Sequence, residues 1–161
     1  MSESHLSLLE GALASVSSPI TEQNVLALAA IVGHDQLKDV FDLIDRDQVA
    51  RIHLPNGTTL YQVASSNSSN PNYTVHPELP NGGYCPCPAL SRNVLAEKHA
   101  QIICKHLLAC RIADKLDRGW NEKFVSLKWV AGWSTKFGIA VPDSLKQPAT
   151  SNTEAGSHSR A

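Results

Sequence analysis

Two short stretches hold the residues best suited to chemistry: YCPCPAL, with Cys85 and Cys87, and ICKHLL, with Cys104 and His106. A disulfide between Cys85 and Cys87 would close a strained ring, and an extended backbone points alternate side chains apart. Thiol redox motifs place two residues between their cysteines, not one. Three thiols and an imidazole, grouped as C-x-C and C-x-H, instead make a Cys3His set suited to tetrahedral Zn2+. Four protein ligands leave no open coordination position, so the predicted ion is one structural zinc, and no catalytic residue is assigned. The plainer alternative is that the cysteines are buried apolar residues and His106 a satisfied core histidine. Two such pairs in one chain favour the metal.

Helix geometry limits how the second pair works. Residues two apart on a regular helix point about 200° apart, so Cys104 is predicted at a helix entrance and His106 in the first turn. There the positive end of the helix dipole favours the Cys104 thiolate. Pro86 and Pro88 carry no backbone N–H, so donors to the cysteine sulfurs must come from later amides such as Ala89 and Leu90. Lys105 is a candidate cation beside the negative site. Cys110, one turn beyond His106, reads as a packed thiol; His99 is a rival ligand, ahead of His34, His53 and His76.

These residues need elements to hold them. TEQNVLALAAIVG has a capping residue at Thr21 and a stop at Gly33, and DQLKDVFDLIDR spaces Leu37, Val40, Phe41 and Ile44 on one helical face. At Val49 the period changes: VARIHL and TTLYQVA flank Pro55-Asn56-Gly57 as an antiparallel hairpin, and YTVH supplies a third strand. KHLLACRIADKLD and NEKFVSLKWVAGW read as two further helices. The predicted fold is α+β: N-terminal helices, a small antiparallel sheet, a zinc-bound turn and helix, then a C-terminal helix. It divides into an acidic helical part (1–47), a zinc core (48–118), a helical extension (119–142) and a disordered tail (143–161), the tail for want of large apolar residues.

The chain has 161 residues, 42% hydrophobic and 18% charged, ordinary for one soluble domain. No apolar run approaches the roughly 18 residues of a membrane span. MSESHLSLLE puts acids where a secretory signal carries positive charge, which points to an intracellular protein with reduced thiols. No glycine-rich phosphate loop or nucleophile elbow is present, and no small-molecule substrate is expected.

The net charge of −1 conceals a split: residues 1–50 hold eight acids against two bases, and residues 105–136 seven bases against three acids. Solvated helix faces explain this; direct single-stranded DNA contact through Lys115, Arg118, Lys123 and Lys128 is the sharper reading. On the helix expected near 121–133, Trp120, Phe124, Leu127 and Ala131 form one stripe, and Val125, Trp129 and Trp133 another. The tryptophan stripe is a candidate partner surface; packing both against the N-terminal helices is the alternative.

The pattern C-x-C, spacer, C-x-H-x-x-A, here Cys85, Cys87, Cys104, His106 and Ala109, resembles the SWIM zinc finger. With DLIDRDQVARIHLPNGTTLYQV ahead of it, the stretch from roughly 40 to 116 is similar to the small SWIM subunits of Shu-type complexes. The resemblance implies the four zinc ligands, with Ala109 as a small side chain permitting close packing. It also implies a non-enzymatic nuclear factor in homologous recombination, bound to a RecA-like recombinase paralogue and promoting recombinase filaments on single-stranded DNA. A stand-alone nucleic-acid-binding zinc module is the alternative; a metal hydrolase would need an open coordination position.

Overall fold

The computed structural model describes residues 3–65, 72–80, 82–94, 101–117 and 120–134. Three helices open the chain: α1 (Glu3–Ala14), α2 (Glu22–Val32) and α3 (His34–Asp45). Thr21 caps α2 reciprocally with Asn24, whose N–H donates to Thr21 Oγ1 at 3.2 Å while Asn24 Oδ1 accepts from the Thr21 N–H at 3.4 Å. Gly33 closes α2 and α3 follows at once, burying Leu37, Val40 and Ile44 as expected, while Phe41 is only partly buried and Leu43 is buried instead.

Strands β1 (Val49–His53) and β2 (Thr59–Ala64) form the expected antiparallel hairpin, with Val49 opposite Val63 and His53 opposite Thr59. Its turn needs the backbone freedom of Gly57, at φ +82°, and Asn56 Oδ1 accepts from the Thr58 N–H at 3.0 Å. β3 (Asn72–Val75) pairs antiparallel with β2, as YTVH implied.

The region after α4 (Lys105–Leu116) departs from expectation. Instead of one helix near 121–133, residues Trp120–Phe124 form a strand, β4, and only Leu127–Ser134 are helical, as α5. β4 runs parallel to β1, so the sheet is mixed rather than antiparallel, in the order β3-β2-β1-β4. The chain crosses from β1 to its parallel neighbour through α4. The disordered tail expected at 143–161 lies outside the described residues.

Helix α4 packs against β1, β2 and β3, and α3 and α1 pack on α4 in turn. Leu9 and Leu13, Leu37 and Val40, Leu108 and Ile112 meet Val49, Val63 and Val75 in a single buried core. Among the described residues, no helix is long and apolar enough to cross a membrane.

Candidate metal centre

The first ligand pair is delivered by the end of the sheet. Beyond β3, His76 and Tyr84 exchange backbone hydrogen bonds of 2.8 and 2.9 Å, so the chain leaves the sheet at His76 and returns antiparallel at Tyr84, next to Cys85. The return runs tight against α4. Gly83 has φ +91°, and a Cβ there would sit 2.7 Å from both the His76 carbonyl oxygen and Leu107 Cδ2. No side chain fits, which is why the knuckle can bring Cys85 to the start of α4.

Cys87 follows one residue after Pro86 and leads into a short π-helical turn, Leu90–Val94. The Leu90 N–H donates to the Cys87 carbonyl at 3.1 Å and also lies against its sulfur. This is the donor that Pro86 and Pro88 cannot provide. On the other side, Cys104 is the N-cap of α4 with an extended backbone, and its side chain makes no capping bond. His106 is in the first turn. Gln36 of α3 donates to the Ile103 carbonyl at 2.6 Å, fixing the residue that precedes Cys104.

The ligand atoms of Cys85, Cys87, Cys104 and His106 lie within 4.8 Å of one another, and all four residues are buried. Cys85 Sγ is 3.8 Å from His106 Nδ1, a spacing suited to two donors about 2.0–2.3 Å from one tetrahedral zinc. His106 Nε2 is buried with no hydrogen-bond partner among the described residues, and Tyr73 packs its ring 4.9 Å from the imidazole. The thiols themselves ask for a cation. Hydrogen bonding to Cys104 and Cys87 drives the Cys85 thiol far above the ordinary range, while bonds from Cys104 and Cys85 hold Cys87 far below it. At Cys104 the lowering bond with Cys85 is outweighed by Cys87 and by burial, and its pKa is pushed up to about 12. Several sulfurs thus compete for one negative charge, a conflict a divalent cation removes. The set fits one structural zinc ion.

Other expectations fall variously. Cys110 is fully buried and outside the ligand set, its thiol pushed up by burial. Ala109 is fully buried too. Lys105 turns away from the sulfurs to pair with Asp39 at 3.0 Å, because the acidic face of α3 is its neighbour. His34, His53 and His76 are not in the cluster, and His99 lies outside the described residues.

The single Val125–Trp129–Trp133 stripe is not formed. Val125 lies between β4 and α5, Trp129 is only 6% exposed, and the side chain of Trp133 lies outside the described residues. The exposed apolar residues nearby are Phe124 and Leu127, at 81% and 69%. Of the basic residues, Lys115 lies on α4, Lys123 on β4 and Lys128 on α5, so no single helix carries them; Arg118 lies outside the described residues. Sequence reasoning missed Tyr73 and Gly83 as parts of the site. The strand period of YTVH and the paired glycines before YCPC were their only signals.

Three known proteins, each a "Zinc finger SWIM domain-containing protein 7", are similar to this chain. The mouse protein is 37% identical over 112 residues, 70% of this chain and 68% of its own length. The human protein is 38% identical over 93 residues, 58% of this chain and 61% of its own length. That from Danio rerio is 34% identical over 90 residues, 56% of this chain and 59% of its own length. No protein-family model and no solved structure matches the chain.

Proposed function

The chain belongs to the SWIM zinc-finger family, and from that membership we propose that it is a non-enzymatic accessory subunit of a Shu-type complex in homologous-recombination repair. In this reading it acts in the nucleus, binds a RecA-like recombinase paralogue, and promotes recombinase filaments on single-stranded DNA. The observation that carries it is the closed Cys3His site. All four donors come from the protein and are buried, so the ion's role is to hold the knuckle against α4, and the chain's role is assembly.

The β4–α5 region supplies the partner contact in this reading. Val125 is half-buried there between exposed Phe124 and Leu127, whereas Trp129 packs inward and serves the contact as support. Exposed aromatics of this kind are common interface anchors. DNA contact comes through the complex, with Lys115, Arg118, Lys123 and Lys128 as secondary contacts.

Purification of the zinc-loaded chain from its native cells, followed by mass spectrometry of co-purifying proteins, tests the proposal. A RecA-fold ATPase in near-stoichiometric amount is expected, and the reconstituted pair should lengthen recombinase filament lifetime on single strands. Recovery of nucleic acid with no protein partner would favour the stand-alone module and overturn the proposal.

A further inference from the structure

The sheet ends at β4: among the described residues no strand pairs with its outer side, the order being β3-β2-β1-β4. The Val125 N–H donates to the His53 carbonyl at 3.2 Å. In a parallel pair, alternate residues turn both backbone groups to the neighbouring strand. Asn121 and Lys123 therefore also face β1, while Trp120, Glu122 and Phe124 turn their N–H and C=O groups outward.

Edge strands are commonly guarded by outward charge, proline or a bulge. β4 has no proline, and its five residues pair one for one with β1, so it has no bulge. Its acid turns back into the sheet, where Glu122 accepts from Arg51 Nε at 2.8 Å and contacts His53 Nε2. Phe124 is 81% exposed. Its ring stacks on His53 of β1 with centroids 4.8 Å apart, which leaves the other ring face toward the place where a further strand would lie.

We propose that β4 is an open edge to which an extended segment of a protein partner adds as a further strand. The outward backbone groups decide the occupant's form. N–H and C=O groups repeating at every second residue are matched by another extended backbone, and not by a helix, whose own groups are paired within it. The side chains decide its sequence. Cross-strand partners face the same side, so alternate residues of the segment meet Trp120, Glu122 and Phe124. An aromatic or branched residue suits the free face of Phe124. Two positions away, opposite Glu122, a hydroxyl, amide or basic side chain is accepted, whereas an acid is repelled. The same rule disfavours a second copy of this chain, because β4 paired antiparallel with itself so that Trp120 meets Phe124 sets Glu122 against Glu122. The inference rests on the partner contact proposed above at β4–α5, but not on that partner being a recombinase paralogue.

The test places a photoreactive benzoylphenylalanine at position 124 of the full, zinc-loaded chain in its native cells and sequences the crosslinked peptide. An extended segment of another protein is expected, with no acid two positions from the residue that meets Phe124. The chain is then reconstituted with that protein and its amide exchange followed by NMR. Lys123 and Val125 should be protected with or without the partner, whereas Glu122 and Phe124 should exchange freely alone and about tenfold or more slowly in the complex. Docking through side chains alone does not produce this alternation. Glu122→Pro removes one outward N–H and spares the bonds to β1; it should lower the crosslink yield about tenfold, while Glu122→Gln, which keeps the N–H, should hold it within about twofold. A crosslink only to a second copy or to a helical segment, no crosslink at all, or a complex without the alternating protection would overturn the edge site. A RecA-fold protein that co-purifies without a crosslink from position 124 overturns the edge site alone; a crosslink into a protein of another fold upholds it and overturns the recombinase reading.

Discussion

Cys104 and Cys110 are both fully buried, one capping α4 and the other within it, but their surroundings differ. Around Cys104 are two more thiols and an imidazole; Cys110 sits among apolar side chains in the core. The same atom type is therefore a metal ligand in one place and a small hydrophobe in the other. Cys104→Ser should drop the zinc content from one ion per chain to near zero. Structural zinc contributes apparent free energies of about 10–16 kcal/mol in small peptides, against roughly 5–15 kcal/mol for a whole domain, so the variant should also lose its cooperative melt. Cys110→Ala should keep one zinc and lose only about 1 kcal/mol, the scale of a small core truncation. Metal analysis and thermal denaturation of the two variants distinguish the roles; loss of zinc from Cys110→Ala would place that thiol in the ligand set.

Among the elements, β4 shows most clearly what a sequence carries and what it withholds. Trp120 and Phe124 are four residues apart, a spacing that satisfies both a helical face and a strand face. What selects the strand is distant: the Glu122 carboxylate accepts from Arg51 Nε at 2.8 Å and also contacts His53 Nε2, while Phe124 stacks on the His53 ring. Those partners lie some seventy residues away in the chain and become visible only in the folded register. By contrast, α2, α3 and the β1–β2 hairpin are set by caps, apolar period and turn residues close by, and the zinc ligands by their own spacing; all were legible. Gly83 was not, since its close approach to Leu107 exists only once α4 is in place. The Arg51 hydrogen bond, helped by His53 and opposed by some desolvation, holds the Glu122 carboxyl below its ordinary range. With a folded pKa below the unfolded value, near 4.3, its stabilisation is fully present above that value and is lost as pH falls through the folded pKa. Solvent exposure limits the contribution to under about 1 kcal/mol. Carboxyl NMR titration should place Glu122 below ordinary glutamates, and Glu122→Gln should speed amide exchange in Trp120–Phe124 while sparing β2 and β3.

At the scale of the whole molecule, the acidic beginning of the chain and its basic later part are joined across one core. Asp39 of α3 pairs with Lys105, Glu10 of α1 pairs with Arg111, and buried residues from Leu9 to Leu116 form one cluster. Half-exposed ion pairs of this kind are worth about 0–1 kcal/mol each, so charge alone does not lock the halves together. The stronger link is the metal. Cys85 is fixed to the sheet through the His76–Tyr84 bridge, Cys104 and His106 begin α4, and α4 packs on α1, α3 and the sheet. Removing the ion leaves three buried sulfurs without their cation where the knuckle meets the start of α4. A chelator should therefore loosen α1, α3 and α4 together, whereas added salt should move the melting temperature only slightly. Hydrogen exchange read by mass spectrometry decides between cooperative and local loss. Protection should fall across His34–Asp45 as far as it does across Lys105–Leu116. If exchange rises only between Cys85 and His106 while α3 stays protected, the zinc stabilises the knuckle alone and the core stands without it.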